Sequence, residues 1–309
     1  MTDVSTRRRE RGSRGQVRRI NSWLIGTAIV LGLFQLFLLP LFLLPRGTTW
    51  GWTLAAPVLL TTPFWSLIHE AIHGTLITRR ATNDVYGRVL AVLYGSPFAM
   101  LKSGHLLHHR YSRTRERAEI YDPAASSWTK AAPGYFARLC GGLYLLEVVA
   151  VLVAALPVAV VRALGRRLDA PDSVAGLLFD RIAQARVLGQ FRTDAAAIVV
   201  LYVAAFVAYG PHGWMLLLAL AGRAVIISLS DNAYHYGTDL DAPLEAMNLR
   251  LSHGLERFAL SFNLHGVHHR HPGLRWYELR EKFLDEGGQY NLGFATAVAR
   301  QLRGPIGLG

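Results

Sequence analysis

Cysteine is almost absent from this chain of 309 residues, which holds one, Cys140. A single cysteine excludes an internal disulfide framework, a CxxC redox centre and an iron–sulfur cluster held by cysteines of this chain. Charged residues are also scarce, at 17% of the chain, whereas soluble proteins average about 25%. Because 51% of the residues are hydrophobic, the composition argues against a soluble globular protein and against a disordered chain.

The excess positive charge, +12 in all, is concentrated near the N-terminus, where seven arginines fall between Arg7 and Arg19 beside a single Glu10. Such an arm is found in some nucleic-acid-binding proteins. Here an apolar run over 23–44 follows at once, and about 20 apolar residues span a bilayer. Arginines beside a span are typical of its cytoplasmic flank. We therefore expect residues 1–20 to form a basic cytoplasmic arm, with no nucleic acid as partner.

Three further apolar runs complete two predicted transmembrane hairpins, and they cover residues 52–68, 195–209 and 214–230. Two other apolar stretches, 85–101 and 135–161, are harder to place. If 135–161 crossed the bilayer once, the arginine-rich segment after it would lie on the outer side, against the positive-inside rule. We expect both stretches to be interfacial or re-entrant.

Histidine is abundant, and nine of the twelve histidines fall into four groups. The groups comprise His69 and His73; His105, His108 and His109; His235; and His265, His268 and His269. Residues four apart share one face of a helix, so His69 and His73 can face one centre. In each HxxHH group the adjacent pair diverges by about 100° around a helix, which suits two metals side by side better than one.

Nine imidazoles exceed the needs of one zinc ion, which takes about four ligands. Two first-row metals with four or five nitrogen ligands each would use them all, and imidazole suits iron, copper, nickel or zinc. The remaining histidines lie outside the groups. We interpret His212 and His253 as structural or exposed, and His271, which precedes Pro272, stays open.

The first group also matches H-E-x-x-H, the zinc metalloprotease motif, with Glu70 as general base. At the end of a transmembrane helix this would indicate an intramembrane protease. That hypothesis does not explain most of the other grouped histidines, so we rank it as a distant alternative. Glu70 then becomes a carboxylate that orients a ligand histidine, as carboxylates commonly do.

Taken together, the four motifs resemble those of the membrane fatty acid desaturase superfamily, which includes acyl desaturases, alkane hydroxylases and carotenoid ketolases and hydroxylases. The motifs are HEAIHG at 69–74, HLLHHRYSR at 105–113, DNAYHYG at 231–237 and NLHGVHHRHP at 263–272. The resemblance implies an all-α integral membrane protein with a cytoplasmic, histidine-rich di-iron domain. We expect the basic arm at 1–20, the membrane domain with its metal site at 21–280 and a C-terminal tail at 281–309.

The resemblance further implies two non-haem iron ions held by all nine grouped histidines: His69, His73, His105, His108, His109, His235, His265, His268 and His269. Some acyl-CoA desaturases have an asparagine four residues before the third-group histidine, where it contacts iron through water. That position is Asp231 here, with Asn232 one residue later. Which of the two faces the metals stays open at this point.

The implied reaction uses O2 to remove hydrogen from an unactivated C–H bond of a fatty acyl or other lipid chain. Desaturation is our first expectation, and hydroxylation or ketolation of a carotenoid or alkane is the alternative. No nucleotide-binding or haem-attachment motif is present, so the electrons must come from a separate ferredoxin or small haem protein with its reductase. We expect an arginine cluster beside the second group to bind either that donor or anionic lipid, namely Arg110, Arg113, Arg115 and Arg117.

Overall fold

The structure is a computed structural model that describes residues 4–171, 173–242 and 244–309, with side chains from residue 19 onward. The basic arm expected over 1–20 therefore falls almost entirely outside the described side chains, and its role stays a prediction. The described chain is mostly helical, and its strands are two residues long. The helices are α1 (Val4–Leu33), α2 (Ala55–Leu59), α3 (Thr61–His73), α4 (Arg80–Tyr94), α5 (Phe98–Tyr111), α6 (Trp128–Ala137), α7 (Leu143–Val153), α8 (Val158–Leu168), α9 (Ala175–Ile182), α10 (Ala185–Tyr209), α11 (Gly213–Ala233), α12 (His253–Phe258), α13 (His265–Arg270), α14 (Leu279–Asp285) and α15 (Phe294–Gln301).

Shorter elements join these helices. Two π-helical segments extend α1 and α6, over Phe34–Leu43 and Arg138–Gly142, and 3-10 turns lie at Leu44–Arg46, Thr48–Leu54 and Gly210–His212. The strands are β1 (Ile120–Tyr121), β2 (Leu249–Arg250), β3 (Leu292–Gly293) and β4 (Ile306–Gly307). β1 pairs in parallel with β4, and β2 pairs in parallel with β3.

Three helical stretches of the described chain are long and apolar enough to cross a membrane: 19–46, 128–153 and 185–233. A fourth is counted if 48–59 and 61–73, bent by 45° at their junction, form one broken span. The 185–233 stretch contains a break at Gly210, whose φ of 51° and ψ of −124° separate α10 from α11. The first, the bent pair and the last of these segments contain the four predicted apolar runs, whereas 128–153 overlaps the stretch expected to be interfacial or re-entrant. The two-hairpin topology and its orientation stay predictions.

The α4–α5 pair forms a hairpin whose turn is buried among the longer helices. His73 ends α3 just before this pair and His105 lies in α5, and their Nε2 atoms lie 2.9 Å apart, so the chain leaves the histidine region along α4 and returns along α5. At the turn, the hydroxyls of Tyr144 and Tyr202 donate to the last carbonyls of α4. Within a bilayer, irregular backbone persists only where the protein satisfies it, and these contacts are those expected of a re-entrant hairpin.

The apolar stretch over 128–153 is bent where Gly141 adopts a φ of 116°. Its middle reaches the buried α4–α5 turn through Tyr144. Near its two ends, Tyr135 donates to the carbonyl of Gln301, and the carbonyl of Ala154 accepts from Arg192. The stretch is long and apolar enough to cross a membrane, so the expected interfacial or re-entrant path stays a prediction.

The segment over 281–309, expected as a tail, is folded against the membrane domain. β3 and β4 pair with strands that precede residue 280. Gln301 of α15 is fully buried, and its amide group donates to the carbonyl of Leu229 and accepts from Asn232. The packing therefore continues without interruption past residue 280.

Candidate metal centre

All nine grouped histidines converge on one region of the protein. α3 and α5 contribute the first two groups near their C-terminal ends, the turn after α11 contributes His235, and the short helix α13 contributes the last group. Glycine permits one of these approaches: a Cβ on Gly87 would lie 2.6 Å from Phe98 and 2.8 Å from Ala71. The close packing of α4 against α3 and α5 thus positions the first and second groups beside each other.

The structure sorts the nine histidines into a group of five and a group of four, and within each group the candidate ligand atoms lie within 4.8 Å of one another. The five-histidine group consists of His69, His73, His105, His109 and His268. The four-histidine group consists of His108, His235, His265 and His269. Each HxxHH motif supplies both groups, as expected when adjacent residues diverge around a helix.

In the five-histidine group the Nε2 atoms face one another at short distances. His105 Nε2 lies 2.9 Å from His73 Nε2 and 3.0 Å from His109 Nε2, which is in turn 3.0 Å from His268 Nε2. Each ring nitrogen has one proton or one lone pair, so hydrogen bonds alone cannot satisfy all three contacts. A cation fits them: nitrogens bonded at about 2.1 Å and at right angles lie about 3.0 Å apart.

The four-histidine group shows the same convergence. The Nε2 atoms of His265 and His269 lie 3.2 Å apart. Those of His108 and His235 are buried and have no hydrogen-bond partner among the described residues, and the same holds for His69 Nε2 in the other group. Buried polar atoms are nearly always satisfied in folded proteins, so these orphaned nitrogens fit a site that could hold a metal ion.

Burial keeps most of these imidazoles neutral. Desolvation lowers the pKa of His105, His235 and His265 well below the ordinary value, and neighbouring histidines lower it further. The same causes lower the pKa of His109 to about 2. A neutral imidazole is the form that binds a metal, so these residues are ready to act as ligands at physiological pH.

His108 differs from the others because it has a carboxylate partner. Its Nδ1 lies 2.6 Å from Oε2 of Glu116. Burial alone would lower the pKa of His108, but the charge and hydrogen bond of Glu116 outweigh burial and raise it. The same pair lowers the pKa of Glu116 although burial opposes this. Glu116 thus fixes the ring of His108 with Nε2 facing the four-histidine group, an arrangement common around metal-bound histidines.

Glu116 was missed in the sequence because it follows α5 by five residues and has no periodic relation to His108. Ser112, which directly follows α5, was also missed, and its Oγ lies 3.4 Å from Nδ1 of His235. The only available signal was a carboxylate and a hydroxyl close behind the HLLHH motif. The chain turns back there, since Arg113 adopts a positive φ of 63°.

Glu70 does not orient a histidine in the described residues. Its carboxylate accepts a hydrogen bond from Thr75 Oγ1 at 2.8 Å and another from the backbone N–H of Trp276. The H-E-x-x-H geometry of a protease needs two histidines on one zinc ion, whereas His69 and His73 share their group with three more. The structure therefore offers no support for the protease hypothesis.

Asp231 and Asn232, of which either was expected to face the metals, have different surroundings. The amide of Asn232 donates to Gln301 Oε1 at 2.7 Å and to the hydroxyl of Tyr135 at 3.3 Å, so it is engaged away from the histidines. Asp231 is half-buried and interacts electrostatically with His108. Asn232 is therefore held by the C-terminal segment, and a role for Asp231 at the metals stays a prediction.

The histidines outside the groups stay outside the centre. His212 lies in the turn between α10 and α11, and His253 is exposed at the start of α12. His271 follows the last residue of α13, and its Nε2 lies 2.6 Å from Glu286 Oε1. Among the described residues, neither metal group includes any of the three.

The expected arginine surface requires a correction at Arg113. Its side chain is almost fully buried, paired with Glu119 at 2.5 Å and donating to the carbonyl of Thr238 at 2.7 Å. Arg113 joins the loop after the second histidine group to the loop after His235, and it is not available to a partner. Arg115 and Arg117 are partly exposed and pair with Asp169 and Asp241, while Arg110 is exposed.

A small pocket lies between the two histidine groups on the side of α13. It is lined by Ser66, His69, Glu70, Leu260, Phe262, His265, His268 and Leu279. Imidazoles of both groups reach this pocket, and its other walls are mostly apolar. Leu260 and Ser261 adopt positive φ angles of 53° and 56° there, so the backbone is held in a conformation that L-residues rarely adopt.

These features define a class: a mostly helical protein with membrane-spanning segments and two adjoining polyhistidine sites that fit two metal ions. The chain matches the fatty acid desaturase family over residues 48–294 and belongs to that family. No curated protein and no solved structure matches the chain. The family implies an oxidoreductase of the non-haem di-iron class, and the histidine groups fit such a centre.

Proposed function

We propose that this protein is a membrane di-iron desaturase that uses O2 and external electrons to introduce a double bond into a fatty acyl or other lipid chain. The observation that carries this proposal is the division of nine converging histidines into groups of five and four within a fatty acid desaturase chain. All nine then serve as iron ligands, through their Nε2 atoms where the short contacts and orphaned nitrogens occur.

The chemistry requires metal ions because hydrogen on an unactivated carbon is not acidic, and no acid–base side chain can remove it. When bound, the two irons would activate O2, which is the oxidant and is reduced to water by two electrons from the substrate and two from the donor, while the protein supplies position and exclusion of water. Glu116 holds His108 in the orientation that the four-histidine group needs. Leu260 and Phe262 form apolar walls beside the imidazoles and keep bulk water from them.

A lipid-like substrate fits the surroundings of the centre. The pocket beside the imidazoles has apolar walls at Leu260, Phe262 and Leu279. Electrons come from a separate ferredoxin or small haem protein with its reductase, because the chain has no second redox motif. Arg110, which is exposed directly after His109, is a candidate contact for that donor.

The orientation follows from charge. We place the N-terminus and the histidine groups on the cytoplasmic side, because the arginines that flank the first span favour that side. Protease protection of N-terminally tagged protein in sealed vesicles tests this placement: cleavage of the tag only from the cytoplasmic side is expected, and cleavage only from the opposite side would contradict it.

Product analysis tests the proposed reaction. Lipids from cells that express the chain with an electron donor are compared by mass spectrometry with lipids from cells expressing His268→Ala. Loss of two hydrogens from a lipid chain, absent with His268→Ala, is the expected result. The matched control is His271→Ala, which alters a histidine outside both groups and should keep activity.

Other results have distinct meanings. Gain of one oxygen atom would favour the hydroxylase or ketolase alternative on the same centre. Equal products from His268→Ala and the unaltered chain would contradict the assignment of the centre as catalytic. If the unaltered chain gave no altered lipid, bound one zinc ion and cleaved membrane peptides, the protease hypothesis would be favoured instead.

A further inference from the structure

The helix α8 has an exposed face that is rich in arginine. Val161 and Gly165 are buried, and Gly165 packs close to Phe179 of α9. Arg162, Arg166 and Arg167 are exposed on the same helix. Residues 158–192 contain six arginines and three aspartates, so the surplus of positive charge is local.

None of these three arginines forms an ion pair with a described residue, a set that leaves out Asp172. The nearby carboxylate of Asp169 is bound to Arg115 at 3.1 Å, and Asp180 lies against Gly165. Three exposed guanidinium groups without carboxylate partners repel one another in the isolated protein. An anionic ligand on this face would relieve that repulsion.

The position of α8 identifies the ligand. Four residues separate α7 from α8, and Arg192 fixes this link by donating to the carbonyls of Ala154 and Leu156 at 3.1 and 2.8 Å. On α7, Leu146 and Leu152 are 67% and 69% exposed. An exposed apolar strip therefore runs directly into the basic face.

We propose that the α8 face, Arg162, Arg166 and Arg167, binds the headgroups of anionic phospholipids while the leucines of α7 contact their acyl chains. Arginine beside apolar surface is the pattern of interfacial helices, and a polybasic segment next to a span attracts anionic lipid. An acidic soluble protein matches the charge, but it has no counterpart for the adjoining exposed leucines. The site holds the arginine-rich end of the domain at the lipid headgroups.

Lipid binding is measured on the full-length protein by native mass spectrometry after release from nanodiscs of equal phosphatidylglycerol and phosphatidylcholine. The unaltered chain should retain phosphatidylglycerol in preference to phosphatidylcholine. Each arginine near an anionic surface raises the affinity for anionic lipid about fivefold. The preference of the triple variant Arg162→Gln/Arg166→Gln/Arg167→Gln for phosphatidylglycerol should therefore fall on the order of a hundredfold. The corresponding triple lysine variant keeps the charge and should retain most of it.

The matched control is Arg250→Gln/Arg257→Gln/Arg303→Gln, which removes three exposed arginines away from α7. This control should keep the preference for phosphatidylglycerol, and an equal loss in both triple variants would overturn the assignment to α8. An unchanged preference in the α8 variant would also overturn it. A higher KM of the α8 variant than of the unaltered chain for the electron donor, measured in pure phosphatidylcholine nanodiscs, would overturn it too. That result would assign the face to a protein partner. The lipid readout does not depend on activity, so it stands apart from the proposed function.

Discussion

Replacing Glu116 with glutamine removes the charge partner of one ligand in the four-histidine group and leaves the five-histidine group unaltered. Glu116 Oε2 lies 2.6 Å from Nδ1 of His108. Loss of such an outer carboxylate lowers metal affinity by about 10- to 100-fold, or about 1.4–2.7 kcal/mol. We expect the variant to fold normally, because glutamine has nearly the same volume and retains a hydrogen-bonding oxygen.

The assay is the iron content of purified protein after dialysis against increasing concentrations of a chelator. Glu116→Gln should lose one iron at a chelator concentration about 10- to 100-fold lower than the unaltered chain requires, while the second iron stays bound. Glu286→Gln is the matched control, since Glu286 also lies 2.6 Å from a histidine, His271, that belongs to neither group. Release of both irons together from Glu116→Gln, or no change in release, would refute the division of the site.

Three further outcomes follow from the structure. Arg223→Met removes the donor to Gln35 Oε1 and to the carbonyl of Tyr94, the last residue of α4. The variant should lose about 3–5 kcal/mol of folding free energy, measured as a lower unfolding temperature. An unchanged temperature would contradict the stabilising role of Arg223 at the end of α4. Gly87→Ala places a Cβ in a space already filled by neighbouring helices, and thermal unfolding should report a loss of about 1–3 kcal/mol. Acidification should release the iron of the four-histidine group first. His108 has a raised pKa, so it takes up a proton at a higher pH than the other ligands, whose pKa values are lowered. Metal analysis along a pH titration would contradict this if the five-histidine group lost its iron first.

The histidine groups could be predicted because their spacing is local. The interval of four between His69 and His73 places both rings on one helix face, and the HxxHH motif distributes its members over two centres. The total of nine predicted two metals, and the structure divides them into five and four. What the sequence did not contain was the assignment of each ring to its group, which depends on how α3, α5 and α13 pack.

The outer contacts were beyond prediction because they depend on turns rather than on periodicity. Arg113 was expected at the surface because arginine usually is, yet the positive φ of its backbone turns it inward to Glu119. In the sequence, Arg223 is a charged residue inside an apolar run, and only the fold reveals that it donates to the carbonyl of Tyr94 at the buried end of α4. Asp231 and Asn232 are neighbours in the sequence, and the partner of Asn232, Gln301, is 69 residues away.

The metal content of the purified full-length chain tests the central claim most directly. Two iron ions per chain, with the Mössbauer signal of a coupled pair and loss of the signal in His268→Ala, is the result predicted by the two histidine groups. A single zinc ion per chain, or iron content unaffected by His268→Ala, would contradict a di-iron centre at these nine histidines.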